Sequence, residues 1–154
     1  MHTGKFRPVR GLDTVIVLEV SCGEQHNLAR VLPQEGSDVY VWGGGRLGQL
    51  GLGNRTECLI PTLLETMRGV GGGVISVGSG VNHSACITRD GSLYSFGHAE
   101  YNQQGIVVIG GADLQGHHYR VPQLVPGMSR RALASVECGC NFTLVLDKEG
   151  AVYR

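Results

Sequence analysis

The chain has 154 residues, with 13 basic and 13 acidic side chains and therefore a formal net charge of zero. A length of this order usually corresponds to one domain, and the balanced charge argues against a nucleic-acid footprint spread over the whole surface. Glycine is frequent, at 25 residues, beside a hydrophobic fraction of 42%. These values indicate a folded chain with many tight turns.

The first part of the chain is interpreted as an irregular lead-in followed by strands. Segment 1–14 is mixed and basic, with Arg7 and Arg10. Residues 33–38 have the composition of a turn. Apolar runs predict strands at 15–20, 28–32 and 39–42. The last of these runs is rich in β-branched and aromatic residues.

Residues 39–53 begin as a strand and continue as a run in which glycine alternates with leucine. Gly43, Gly45 and Gly48 formally fit the G-x-G-x-x-G dinucleotide fingerprint. That chemistry requires a following helix, whose N-terminus faces the pyrophosphate, but more glycines and Pro61 follow. We interpret the stretch as the corner of a repeated β unit, and an enzyme that binds a dinucleotide through this loop stays an alternative.

The same order of segments then recurs twice. Equivalent glycines, 57 and 59 residues apart, are Gly23, Gly80 and Gly139. Three places before each glycine lies a valine: Val20, Val77 and Val136. Three places after each glycine lies a residue with a ring: His26, His83 and Phe142. The second copy also has a glycine-rich loop insertion near 106–121, and the Asp-Gly turn at 90–91 is a strong hairpin signal.

Several of these matching positions are expected to be structural. Trp42 and Phe96 occupy the same place in two copies and are interpreted as packing residues. The expected structural repeat positions are Gly23, Trp42, Gly43, Gln49, Gly51, Gly80, Gly91, Phe96, Gly97, Gln103, Gly105, Gly139 and Gly150.

A period of this size, built from short strands and glycine turns, is typical of stacked or radial repeats. About four strands in each repeat point to propeller blades. We therefore predict an all-β fold, a partial β-propeller with two blades of four short antiparallel strands and the start of a third. The predicted bounds are 15–73 for blade 1, 74–132 for blade 2 and 133–154 for the truncated third blade.

The motifs VYVWG at 39–43, LGQLGLG at 47–53 and GSGVNHSACI at 78–87 resemble the regulator of chromosome condensation repeat. The family fold is a seven-bladed β-propeller, and the resemblance extends over 15–154. It implies that this sequence is a fragment or an incomplete gene product. Two to three blades cannot close a ring, so we expect the isolated chain to be marginally stable or to associate. The first copy departs from the family pattern at Asn27, and the third at Glu137 and Phe142.

The resemblance implies a protein-interaction module without catalytic residues, cofactor or small-molecule substrate. Loops on one propeller face are expected to meet a protein partner. The predicted loop residues are Glu24, Gln25, His26, Val81, Asn82 and His83. For the two histidines the residues leave open a structural role, in which each ring pins its own turn by a hydrogen bond.

Two partners are implied by the family. One is a small GTPase of the Ran type, for which the full propeller would act as a guanine-nucleotide exchange factor. The other is chromatin, contacted through a basic N-terminal tail. Related plant ultraviolet-B photoreceptors place a tryptophan just after the repeat glycine, where this chain has Glu24, Val81 and Cys140. The light-sensing set is therefore missing.

Five cysteines and no secretory signal favour an intracellular protein, cytoplasmic or nuclear, with reduced thiols. No apolar stretch has the roughly 20 residues of a membrane helix. Cys138 and Cys140 could hold a metal with nearby histidines, but no second pair has zinc-type spacing. The histidine pair at 117–118 lies in a glycine-rich loop and is an equally weak ligand candidate. We predict no metal site.

Overall fold

The computed structural model describes residues 6–32, 39–100 and 118–154. The predicted positions Gln103 and Gly105, and residues 106–117 of the insertion, lie outside these ranges. The strands are β1 (Val17–Cys22), β2 (His26–Val31), β3 (Val39–Gly43), β4 (Cys58–Leu63), β5 (Val74–Ser79), β6 (His83–Thr88), β7 (Leu93–His98), β8 (His118–Leu124), β9 (Leu133–Cys138), β10 (Thr143–Asp147) and β11 (Val152–Tyr153). Two 3-10 helices, Glu65–Met67 and Val70–Gly72, connect β4 to β5.

The strands form three antiparallel sheets that follow chain order. Sheet 1 is β1-β2-β3-β4, sheet 2 is β5-β6-β7-β8 and sheet 3 is β9-β10-β11. The prediction of an all-β chain with four antiparallel strands in each of the first two repeats is confirmed. The blade bounds at 73/74 and 132/133 stay a proposal.

A carboxylate organises the short turn between β6 and β7 and the short turn between β10 and β11. Asp90 accepts hydrogen bonds from the Thr88 hydroxyl at 2.7 Å and the Ser92 amide at 3.1 Å. Asp147 accepts from the Ala151 amide at 2.8 Å and the Tyr153 hydroxyl at 2.8 Å. An Asp side chain that captures nearby backbone and hydroxyl donors in this way favours a tight turn.

Two apolar clusters lie between the sheets. The cluster between sheets 1 and 2 contains Leu28, Val39, Val41, Leu50, Leu64, Met67, Val74, Val77, Cys86 and Phe96. The cluster between sheets 2 and 3 contains Ala85, Ile87, Leu93, Ala99, Tyr119, Val125, Leu133, Val136 and Val145. Both clusters mix residues from neighbouring sheets, so burial of apolar area holds the sheets face to face.

The glycine-rich stretch after β3 forms a corner between sheets 1 and 2. The Gly53 amide donates to the Arg120 carbonyl at 2.9 Å. Gly51 has φ 68°, and a Cβ there would lie 2.9 Å from the Phe96 ring, so this position requires glycine. Within the described range 39–100, turns and β4 follow Gly48, where a dinucleotide loop needs the N-terminus of a helix.

Candidate functional site

The turns between the first and second strands of the three sheets lie at one edge of the molecule. We call this surface the turn edge and define it as residues 23–25, 80–82 and 139–141. Each turn is closed by the same backbone bond, from the glycine amide to the carbonyl of the ring residue three places later. These bonds are Gly23 to His26 at 2.8 Å, Gly80 to His83 at 2.9 Å and Gly139 to Phe142 at 2.9 Å.

Neighbouring turns of the edge are in contact. The Val81 amide donates to the Cys140 carbonyl at 3.3 Å, which joins the second turn to the third. A Cβ on Gly23 would lie 2.5 Å from the Gly80 carbonyl oxygen, and one on Gly80 would lie 2.6 Å from the Gly139 carbonyl oxygen. These close approaches need glycine, and they make the three turns one continuous surface.

The side chains of the turn edge are mostly polar. Glu24, Gln25, Cys140 and Asn141 are exposed, and Asn82 is half-buried. Backbone hydrogen bonds hold the first two turns in place. The Gln25 carbonyl accepts from the Gly44 amide at 2.6 Å, and the Asn82 carbonyl accepts from the His98 amide at 2.8 Å. Amides and a single carboxylate on a rigid frame suit hydrogen bonding to a protein surface.

The predicted loop residues His26 and His83 are buried. His26 Nε2 lies 2.8 Å from the Ser84 hydroxyl, which donates onward to the Gln49 carbonyl at 2.8 Å. Since the one hydroxyl proton of Ser84 goes to Gln49, His26 must donate through Nε2–H. His83 Nε2 lies 3.0 Å from the Thr143 hydroxyl.

Each histidine therefore bonds to the next sheet. The sequence interpretation places this bond within the histidine's own turn, whereas in the structure the side-chain bond crosses to the neighbouring sheet. The solvent-facing part of the predicted loops is formed by their neighbours, Glu24 and Gln25 in the first turn and Val81 and Asn82 in the second.

Burial keeps both imidazoles neutral. Desolvation, with a smaller contribution from the nearby His83, lowers the pKa of His26 to about 4. Desolvation also lowers the pKa of His83 to about 4, with a smaller contribution from His98. At neutral pH the two uncharged rings thus form hydrogen bonds between sheets, and they are poor candidates for acid–base chemistry at that pH.

Ser84 and Thr143 belong to this arrangement, and sequence reasoning missed them. Both residues follow a ring residue directly, at the position that Asn27 holds in the first copy. Two hydroxyl residues at matching positions, each one place after the ring, are the signal that could have identified them.

The structure also bears on the chemistry of the cysteines, on metal binding and on membrane-spanning segments. Burial raises the pKa of the Cys138 thiol to about 12, so this thiol stays protonated. In the described ranges, no group of three or more His, Cys, Asp or Glu side chains is arranged to hold a metal ion. Nor does any helix within those ranges have the length and apolar character to cross a membrane.

A family model matches most of the chain. The model described as "Regulator of chromosome condensation (RCC1) repeat" matches residues 37–87 and 90–146, and a second model of this repeat matches residues 74–103. Each long match begins within one of the copies identified from the sequence and ends within the next, so the matches do not coincide with the proposed blade bounds.

Individual proteins are similar along nearly the whole chain. Human E3 ubiquitin-protein ligase HERC2 is 32% identical over 147 residues, covering 96% of this chain and 3% of HERC2. Ultraviolet-B receptor UVR8 of Arabidopsis thaliana is 30% identical over 146 residues, covering 96% of this chain and 30% of UVR8. The chain thus spans less than a third of the length of either relative.

The crystal structure of Prp20p from Saccharomyces cerevisiae is similar in fold. It superposes with a TM-score of 0.73 at 23% identity, over 89% of this chain and 32% of Prp20p. With the repeat match, this likeness identifies the three sheets as blades of a partial β-propeller and confirms the predicted architecture.

Proposed function

The chain belongs to the regulator of chromosome condensation repeat family, and we propose that it binds a protein partner through the turn edge. The observation that carries this proposal is the continuity of the edge, in which the Val81 amide bonds to the Cys140 carbonyl. A rigid scaffold that presents exposed polar loops is a common basis for binding.

Two properties of the edge support a protein as the partner. Its backbone is already fixed, so little conformational entropy is lost on binding. Its exposed side chains offer amides and one carboxylate, without a basic residue, which gives little attraction for phosphate groups. We propose that the residues of this chain have no catalytic role. We also propose an intracellular location, either cytoplasmic or nuclear.

The proposed partners are those of Prp20p, a protein of similar fold. The Prp20p structure was described together with its binding properties to Gsp1p and histones. Gsp1p and purified histones are therefore suitable probes for the turn edge, and they represent the Ran-type GTPase and chromatin alternatives. Because the chain spans 32% of Prp20p, either interaction is proposed and requires a direct measurement.

Guanine-nucleotide exchange on a Ran-type GTPase is the second candidate function, favoured by the fold likeness to Prp20p. An exchange factor accelerates release by binding the nucleotide-free GTPase better than the loaded one. The assay measures release of a fluorescent GDP analogue from Gsp1p with and without the chain. Acceleration would support exchange, whereas binding to Gsp1p without acceleration would support a pure interaction module.

The binding proposal is tested with a triple variant, Glu24→Ala, Gln25→Ala and Asn82→Ala, measured by biolayer interferometry against both probes. The three substitutions leave the backbone bonds of the turns intact, so we expect a folded protein with at least about tenfold weaker binding. The control is Arg89→Ala with Lys148→Ala. Both residues are exposed on hairpins at the opposite ends of the strands. Failure of both probes to bind, or weaker binding in the control alone, would refute the proposal.

A further inference from the structure

The ends of the strands opposite the turn edge also form a continuous surface. We call it the hairpin edge and define it as residues 71–73, 89–91, 130–132 and 148–150. Backbone hydrogen bonds join these four segments in chain order. They run from the Arg89 amide to the Gly73 carbonyl at 2.8 Å, from the Arg131 amide to the Gly91 carbonyl at 3.0 Å and from the Lys148 amide to the Ala132 carbonyl at 2.7 Å. The edge is therefore a fixed frame that links sheet 2 to sheet 3.

The exposed charges of the hairpin edge are mainly basic. Its exposed charged residues are Arg89, Asp90, Arg130, Arg131, Lys148 and Glu149. Arg89 and Lys148 hold equivalent places in the hairpins of sheets 2 and 3. The Asp90 carboxylate already accepts hydrogen bonds within its own turn, from the Thr88 hydroxyl and the Ser92 amide. The edge therefore presents four cations beside two carboxylates, one of which is already hydrogen-bonded.

Two of these arginines are held in place by backbone carbonyls. Arg89 donates from Nε to the Gly72 carbonyl at 3.2 Å, and Arg131 donates from Nε to the Gly127 carbonyl at 2.7 Å. The Arg131 guanidinium also lies over the Tyr153 ring, 5.3 Å from its centroid. Among the residues that the structure describes, neither guanidinium forms an ion pair with a carboxylate. A guanidinium oriented through Nε still offers its terminal nitrogens to a planar anion.

Arg130 occupies a backbone position that favours glycine. Its φ is 54°, and no other non-glycine residue in the described ranges has a positive φ. The equivalent residue of the preceding linker, counted from the matching Met67 and Met128, is Gly69 with φ 69°. This left-handed conformation is unfavourable for a residue with a Cβ, so the turn alone does not account for an arginine there. Backbone strain at an exposed cation points to a role for its side chain.

We propose that the hairpin edge binds an acidic segment of a protein, an extended chain rich in Asp and Glu. Carboxylates match the planar fork of a guanidinium, and the edge supplies three such forks on one frame, with Lys148 as a further point charge. A nucleic-acid strand fits less well, because its phosphates follow one another at short intervals and Asp90 and Glu149 lie within the same surface. An acidic peptide can place its carboxylates opposite the arginines and neutral residues opposite these two carboxylates.

Fluorescence anisotropy at low ionic strength tests this proposal with two labelled peptides of equal length, one of glutamate and one of alternating glycine and serine. We expect the wild-type chain to bind the glutamate peptide only, and added salt to weaken the complex. Arg131→Gln removes one guanidinium and is expected to weaken binding at least about tenfold. Arg46→Gln is the matched control, because Arg46 is an exposed arginine outside the hairpin edge; its affinity is expected to equal that of the wild type.

Arg130→Gly separates binding from folding. Glycine adopts a positive φ without steric cost, so the urea unfolding midpoint of this variant is expected to equal or exceed that of the wild type. Its affinity for the glutamate peptide is expected to fall at least about tenfold, because a guanidinium is lost. The turn edge is unchanged in these variants, so their binding to Gsp1p or histones is expected to stay the same.

Several outcomes would overturn the proposal. Equal binding of the two peptides, or no binding of either, would show that the hairpin edge does not select acidic segments. Wild-type affinity in both R131Q and R130G, or weaker binding in R46Q, would place the contact elsewhere. Tighter binding of a labelled DNA duplex that is lost in the same variants would identify a nucleic acid as the partner instead.

Discussion

Acidification is expected to weaken the junctions between the sheets through His26 and His83. The perturbation is a shift from about pH 7.5 to about pH 5, compared between the wild-type chain and a double variant, His26→Phe and His83→Phe. Phenylalanine is the replacement that the chain itself uses, because Phe142 holds the equivalent place in sheet 3 and packs on Gly139.

The sign follows from the pKa values of the folded and unfolded chain. The ordinary histidine pKa is 6.5, and burial lowers that of both His26 and His83 to about 4. The unfolded chain therefore binds protons at a higher pH than the folded chain, so stability is complete above about pH 6.5 and falls as the pH decreases towards about 4.

The size of the effect follows from the same values. Between about pH 7.5 and pH 5, proton binding to the unfolded chain costs about 2 kcal/mol for each histidine, or about 4 kcal/mol for both. The Thr88 hydroxyl lowers the pKa of Asp90, and the Ala151 amide lowers that of Asp147. These two carboxylates stay ionised over this range and contribute little to the change.

Urea unfolding followed by fluorescence measures the effect. Trp42 is the single tryptophan of the chain and is half-buried in β3, so its emission reports on unfolding of sheet 1. The double variant is expected to be less stable at pH 7.5 and to lose about 4 kcal/mol less than the wild type on acidification. Equal losses in the two proteins would refute a role for the buried histidines.

Two further substitutions test the packing of the turns and the bond between sheets. Gly80→Ala is expected to cost about 3 kcal/mol in urea unfolding, because its Cβ would overlap the His83 ring. Gly69→Ala has no atom within 4 Å of its Cβ and φ 69°, so a cost of only about 1 kcal/mol is expected; similar costs would contradict the overlap. Ser84→Ala removes the acceptor of the buried His26 Nε2–H and is expected to cost about 1–3 kcal/mol, whereas an unchanged unfolding midpoint would show that the bond contributes nothing.

The repeat made much of the fold predictable from the sequence. β-Branched and aromatic runs indicated the inner strands, and the matching glycines placed the turns in register. The outer strands were harder to locate, because β4 and β8 contain Pro61 and Pro122. Proline lacks a backbone donor and is tolerated at the edge of a sheet, which is where both strands lie.

Contacts between sheets were less predictable than the sheets themselves. The bond from His26 to Ser84 joins residues 58 positions apart, and it depends on how two twisted sheets pack, which the pattern within one repeat does not specify. The exposure of Val20 could not be predicted for the same reason. Its equivalents Val77 and Val136 are also valines, but each of them packs against a neighbouring sheet.

The central claim is that the turn edge is the surface that binds a protein. It is tested most directly by hydrogen–deuterium exchange of the chain alone and with Gsp1p or purified histones. We predict that a bound probe slows exchange in residues 23–26, 80–83 and 139–142. Slower exchange confined to the opposite hairpins, at 89–92 and 148–151, or no change with either probe, would contradict the claim.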